Sequence, residues 1–198
     1  MPINRDYQED ALKVLIKSPY IELNAKDAQF LYDFAQKFQA EKSKELIHQI
    51  DNDKEIKRYM TGFAAELAVE RLLGIRILDT TFGHSDNYNH ADLKSSGLDI
   101  GVKCSLLGNY PVVFKTPHNA EIITVLHGTR VFICGLASVQ TMTKYCDDNL
   151  ILNEKFKARG VKTGFYGFDQ LIPFKNLDEL KQAYKNLPKL PQKQKFRA

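Results

Sequence analysis

The sequence predicts an α/β domain with a mixed central β-sheet flanked by helices, on three observations. Up to Gly74 the apolar residues recur at helical spacing. Beyond it the chain changes to short β-branched and apolar runs separated by turn residues. A further helical stretch then opens at Asn176. Helices before and after a group of strands imply a sheet covered by helices. With 198 residues and no obvious linker, a single domain is expected, large enough for a proper core. Its parts are an N-terminal helical region (1–52), a core (53–174) and a C-terminal helix and tail (175–198).

Taken in order, residues 6–17 read as a short helix with Ala11, Leu12, Leu15 and Ile16 on one side, closed by Pro19. Asn24, with Asp27 three residues on, opens a second helix that carries Ala28, Leu31, Phe34, Ala35 and Phe38 inward. The polar run Lys37–Lys44 permits helix and reads as a solvated face. From Asp53 to Gly74, Ile56, Met60, Phe63, Ala64, Leu67, Ala68 and Leu72 form a broad apolar stripe, and Gly74 suits the C-terminal cap. Glu66 lies at the margin of that stripe, among Gly62, Ala64 and Ala65, small residues that would admit another backbone. It is read either as a partly buried carboxylate or as an exposed helix residue like Glu70.

Ile75–Thr81 looks like a strand, followed by the polar loop FGHSDNYN. Strands are also expected at Tyr110–Phe114, Glu121–Leu126 and Arg130–Ser138. Ser138 can cap a helix over Val139–Tyr145, and Lys155–Lys162 forms a loop-rich basic region. Asn176 can cap the last helix, with Leu177, Leu180 and Tyr184 facing inward, before a Pro- and Lys-rich tail.

Residues 89–106, NHADLKSSGLDIGVKCSL, concentrate ionisable groups around the turn signal Lys94–Gly97 and read as a β-hairpin. Strand alternation places Asp99, Gly101, Lys103 and Ser105 on one face and Leu98, Ile100, Val102 and Cys104 on the other, with Asp92 arriving from the neighbouring strand. Carboxylates beside an ammonium could hold a metal ion and a phosphate.

Charge bounds the partners without choosing one. A net charge of +4 is compatible with a polyanion and too small to demand it. Three cysteines without metal-ligand spacing fit plain thiols in a reduced compartment. The segment MPINRDYQED lacks the apolar run of a signal peptide, and no stretch reaches a membrane span. A cytoplasmic protein is expected, with no membrane partner; a homodimer is compatible with the sequence.

A helix with GFAAE, a strand, an Asp, a turn, and a strand ending in Lys resemble, as an element order over Lys57–Ser138, the PD-(D/E)xK or restriction-endonuclease-like nuclease superfamily. The resemblance implies a restriction-endonuclease-like core preceded by N-terminal helices, and a metal-dependent DNA endonuclease using Mg²⁺ or Mn²⁺. Position by position, Glu66 matches the helix acid, Asp92 the strand acid and Lys103 the lysine, while Ala91 replaces the proline. The acid two before the lysine is absent, since that position is Gly101; Asp99 could supply the charge. Asp92, Glu66 and Asp99 are then the expected metal ligands. Lys103 orients water or neutralises charge on the phosphate. Glu66, Asp92 and Lys103 should converge on one pocket.

Each residue also has a plainer reading. Asp92 near a turn could bond a backbone amide, and Lys103 could be an ordinary strand lysine. Because Gly101 breaks the motif, the alternative is a nuclease-fold protein without cleavage that binds nucleic acid or a protein partner. Lys155, Lys157, Arg159 and Lys162, interleaved with aromatics, could hold a nucleic-acid backbone or pack as a loop. His84, His90 and His118 lack helical zinc spacing, and Ser105 and Cys104 lack a histidine nearby in sequence.

Overall fold

The computed structural model describes residues 6–42, 52–80, 91–152 and 154–188. A π-helical turn at Gln8–Leu12 runs into α1 (Lys13–Leu15), and β1 (Tyr20–Glu22) leads to two long helices, α2 (Ala25–Lys42) and α3 (Asn52–Leu73). Then follow β2 (Ile100–Leu106), β3 (Val112–Phe114), β4 (Ala120–His127), β5 (Arg130–Ala137), α4 (Val139–Lys144), β6 (Cys146–Asp147), α5 (Glu154–Ala158), β7 (Lys162–Phe165) and α6 (Leu177–Lys185).

The strands make two sheets. The larger has the order β1-β5-β4-β2, antiparallel except for the parallel β2/β4 pair, and the smaller is β3-β7-β6. The expected mixed sheet with flanking helices is what forms. A parallel pair cannot be closed by a tight turn, so the chain crosses over between β2 and β4 and contributes β3 to the second sheet on the way.

Strand alternation divides the core along the two faces of the large sheet. On one face Ile100, Ile122, Val131 and Ile133 meet Phe63, Leu67 and Val69 of α3 and Phe34 of α2, whose ring lies 4.6 Å from that of Phe63. On the other face Ile123, Val125 and Cys134 pack with Val113, Met142, Phe165 and the N-terminal Ala11 and Leu15.

The helix ends form where the sequence places them. Asn24 Oδ1 accepts from Asp27 N at 3.0 Å while Asp27 Oδ2 accepts from Asn24 N at 2.9 Å, a reciprocal cap on α2. Ser138 caps α4 and Asn176 caps α6 through single bonds of 2.9 Å, and Gly74 takes φ +65° just past α3.

Asp27 also accepts both guanidinium arms of Arg71 on α3, at 2.9 and 2.5 Å, and is itself buried. These bonds to Arg71 are the main cause holding its carboxyl below the usual Asp range. Replacing Asp27 with Ala removes the cap and leaves Arg71 without this partner. A loss of roughly 2–3 kcal/mol is expected, less than for a fully buried pair because Arg71 can rehydrate. A lowered acid pKa contributes stability above its unfolded value of about 3.9, which is lost as pH falls through the folded value. The gap between wild type and Asp27→Ala in urea melts should therefore be wide at pH 7 and narrow below pH 3.

Several sequence expectations are corrected. The hairpin over 89–106 does not form: Asp92 and Leu93 lie in a turn, Lys94–Ser96 make a 3-10 turn ended by Gly97 at φ +78°, and the partner of β2 is β4. Of the expected strand Ile75–Thr81, residues 76–80 are irregular; Thr81 lies outside the described residues, as does the loop FGHSDNYN. The backbone N–H groups of Ile77 and Leu78 go to Glu70 Oε2, at 2.8 and 3.1 Å, so Glu70 is a structural anchor and not a free surface residue. In the N-terminal segment Leu12 and Ile16 face solvent, while Ala11 and Leu15 are buried, as are Leu31, Phe34 and Ala35 in α2; Ala28 is exposed. Gly62 faces open space, so no second backbone approaches α3 there.

Candidate functional site

Glu66 projects from the sheet-facing side of α3 into a cavity of about 690 Å³. Its walls are apolar at Phe38, Phe63 and Leu78 and polar at Asp79 and Asp92. Glu70, one turn after Glu66, ties down the segment that forms the Ile77–Leu78 wall. The carboxyl of Glu66 is pushed up to about 8, first by burial, then by the negative charge of Asp92, against the opposing pull of Lys103.

Asp92 stands at the open edge of the large sheet. Among the described strands β2 is the outermost, and its Val102 N–H donates to Asp92 Oδ2 at 2.5 Å. The plainer reading of Asp92 as a ligand for a backbone amide is therefore fulfilled. That bond and Lys103 both favour the carboxylate, yet burial outweighs them and raises its pKa.

Lys103 originates on the face of β2 turned away from α3, since Ile100 and Val102 occupy the α3 side. The expected convergence of Glu66, Asp92 and Lys103 on one pocket is thus corrected: Glu66 and Asp92 share the cavity wall, Lys103 is not part of it, and it acts on both only electrostatically. The ammonium is 3.6 Å from Glu121 Oε1 and about a third exposed.

Glu121 was not among the residues singled out from sequence. It is the second residue of β4 and pairs in register with Gly101. A Cβ built on Gly101 would lie under 2.5 Å from Glu121 Oε2 and 2.9 Å from its Cδ, so the missing side chain on β2 is the space the Glu121 carboxyl occupies. Glu121 Oε2 is buried and accepts no hydrogen bond. Burial is the chief cause pushing this carboxyl up to about 7; Asp92 adds to the rise and Lys103 opposes it.

Asp99 stands apart. It is exposed, takes no part in the cavity wall, and faces Asn119, whose amide nitrogen can reach Asp99 Oδ2 at 3.2 Å. The structure does not bring it to Glu66 or Asp92. The signal that could have pointed to Glu121 is an acid near the start of a mostly apolar strand in a chain whose acid position is Gly101.

Among the described residues, no group of three His, Cys, Asp or Glu side chains is gathered closely enough to enclose a metal ion directly. The cavity wall brings Glu66, Asp79 and Asp92 together with the basic side chains Arg76 and Lys94.

The basic segment is partly ordered structure instead of loop. Lys157 lies in α5, Arg159 just beyond it, and both are exposed; Lys162 starts β7 and its ammonium lies 5.2 Å from the exposed Phe114 ring. The Lys155 side chain lies outside the described residues. Burial, then the positive charges of Lys103, Arg58 and Arg159, lower the Lys162 pKa, so this cation lies within electrostatic reach of Lys103.

Other candidates fall away or are not described. His84 and His90 lie outside the described residues, and His118 is exposed. Cys104, Cys134 and Cys146 are free thiols; burial pushes Cys104 up to about 11, which leaves it a thiol at neutral pH. Ser105 Oγ is buried with no hydrogen-bond partner, so no base activates it. Among the described residues no helix is long and apolar enough to cross a membrane. No family model matches the chain, and comparison with curated proteins and with solved structures gives no match.

Proposed function

We propose that the chain is a metal-dependent nuclease that hydrolyses phosphodiester bonds in DNA, on the PD-(D/E)xK pattern. The observation that carries this reading is the pairing of Glu66 and Asp92 in one cavity, with both carboxyls raised by burial and with Lys103 acting on both. Carboxyls in a cleft whose pKa values are raised by burial and by a charged neighbour are candidates for a functional site.

In this reading Asp92 is the principal ligand, fixed by the Val102 amide, and Glu66 is the second, direct or through water. Mg²⁺ or Mn²⁺ bound there supplies an activated water and charge stabilisation on the phosphate. Lys103 presents its ammonium to the phosphate at the sheet edge. The cations of Arg159 and Lys162, toward which Lys103 leads, hold the nucleic-acid backbone, with Lys157 on α5 and Lys155 assigned to the same track from sequence.

A second reading, a nuclease-fold protein that binds nucleic acid without cutting it, is favoured by the lack of three directly gathered metal-ligating side chains among the described residues. Incubation of the protein with plasmid and with single- and double-stranded oligonucleotides, across Mg²⁺ and Mn²⁺, decides between them. Cleavage that chelation stops is the expected result. Salt-sensitive DNA binding with no cleavage under any of these conditions would select the second reading, and no binding at low salt would remove both.

A further inference from the structure

The smaller sheet presents a surface that its own packing does not account for. Strand β3 lies at one edge of that sheet and alternates, so that Val113 fills the core while Phe114 points outward and stays 47% exposed. Register sets Phe114 opposite Lys162 on β7, whose ammonium stands over the ring at 5.2 Å. Val161 beside it is exposed as well, and its carbonyl accepts from the Lys115 N–H at 3.1 Å, which extends the pairing of the two strands past Phe114.

Charge is a second observation at the same place. Besides burial, the charges that act most on Lys162 are all positive: Lys103 on β2, Arg58 on α3 and Arg159 just beyond α5. Arg58 and Lys103 keep acidic partners, Glu55 at 2.8 Å and Glu121 at 3.6 Å, and Lys115 is held by Asp148 at 2.6 Å. Arg159 and Lys162 are therefore the cations best placed to take a phosphate. Gathering like charges costs repulsion that a polyanion relieves. Lys103 also acts on Glu66 and Asp92, so a strand held at Lys162 leads toward their cavity. A duplex keeps its bases stacked inside and offers nothing to an exposed ring, whereas an unpaired base has a free π face.

We propose that the Phe114 and Lys162 face of β3 and β7 is a docking surface for single-stranded DNA, with an unpaired base stacked on the Phe114 ring and the flanking phosphates on Lys162 and Arg159. The inference rests on the nucleic-acid reading above and names its substrate class, an unpaired strand and not a plain duplex.

The test uses the full chain without metal, so that binding is read apart from cleavage. Fluorescence anisotropy follows three labelled probes of one length: a mixed-sequence single strand, its duplex, and a single strand made abasic throughout. The wild-type chain should bind the mixed-sequence strand more tightly than the duplex. Phe114→Leu keeps an apolar side chain and removes the π face; it should weaken single-strand binding about 5- to 100-fold, the loss of one stacked base, and leave duplex binding unchanged. On the abasic strand wild type and Phe114→Leu should bind alike, because the phosphates remain and the base is gone. Arg159→Gln and Lys162→Gln should each reduce the slope of log affinity against log salt by about 0.7, one phosphate contact on a single strand.

Unchanged single-strand affinity in Phe114→Leu overturns the docking surface and leaves the nuclease reading standing on the cavity. A wild-type preference for duplex does the same. An equal loss on all three probes also overturns it, since it marks a disturbed fold and not a lost stack. If Phe114→Leu does not fold, the wild-type chain decides alone: equal affinity for the mixed-sequence and abasic strands overturns the stacking. Single-strand binding that depends on Phe114, without cleavage when metal is added, upholds the surface and selects the non-cutting reading. No binding of any probe at low salt removes the nucleic-acid reading, and this inference with it.

Discussion

Asp92→Asn should reduce DNA cleavage by about a thousandfold or more, equivalent to roughly 4 kcal/mol of transition-state stabilisation. The variant keeps an oxygen that can accept from Val102 N, so the turn and the edge of β2 should stay in place. What it loses is the negative charge. Asp92 is the carboxyl that burial disfavours even though two neighbours stabilise it, and it is the one electrostatically linked to Glu66, Lys103 and Glu121 alike. Single-turnover cleavage at saturating Mg²⁺ measures the loss, and a melting temperature close to wild type shows that it is chemical and not structural. Cleavage near the wild-type rate would place the reacting phosphate elsewhere in the molecule.

Glu66→Gln should have two opposite effects on stability, separated by metal. In the metal-free protein a carboxyl raised to about 8 destabilises the fold as pH rises from its unfolded value near 4.3 through the folded one. Below the unfolded pKa it carries no penalty. At pH 7.5 the variant should therefore be more stable than wild type by about 2 kcal/mol, after discounting a larger one-site figure for coupling to Asp92. The difference should vanish near pH 4.

Addition of Mn²⁺ should reverse that order. The wild-type carboxylate gains a cation, whereas the amide does not, and a ligand at a hundredfold its dissociation constant stabilises the native state by about 2.7 kcal/mol. Thermal melts of both proteins from pH 4 to 9, with and without Mn²⁺, test the whole pattern. Parallel pH profiles for the two proteins would show that Glu66 does not titrate in the cavity. Equal Mn²⁺ shifts would remove it from the metal site.

Much of the architecture is local and follows from residues close together in the chain. The caps at Asn24, Ser138 and Asn176 and the end of α3 at Gly74 depend on residues a few positions apart, so side-chain chemistry decides them directly. The apolar stripe of α3 and the β-branched runs of β4 and β5 likewise carry their own period, and the mixed α/β class follows from their order. Glu66, Asp92 and Lys103 could be singled out because their elements follow one another along the chain.

Tertiary structure decided which backbone pairs with which, because a hydrogen-bonding edge does not state its partner. The residues KSSG signal a reversal, and the chain does turn there, but β2 takes its ladder from β4 while Asp92 is left to bond Val102 at the open edge. Ile75–Thr81 has the composition of a strand; Glu70 took the amides of Ile77 and Leu78 that a ladder would have used. Asp99 and Glu121 show the same division at the site. Alternation along one strand favoured Asp99, yet it is exposed. The carboxyl beside Lys103 comes from β4, placed there by a parallel register between residues twenty apart in sequence and by the absence of a side chain at Gly101.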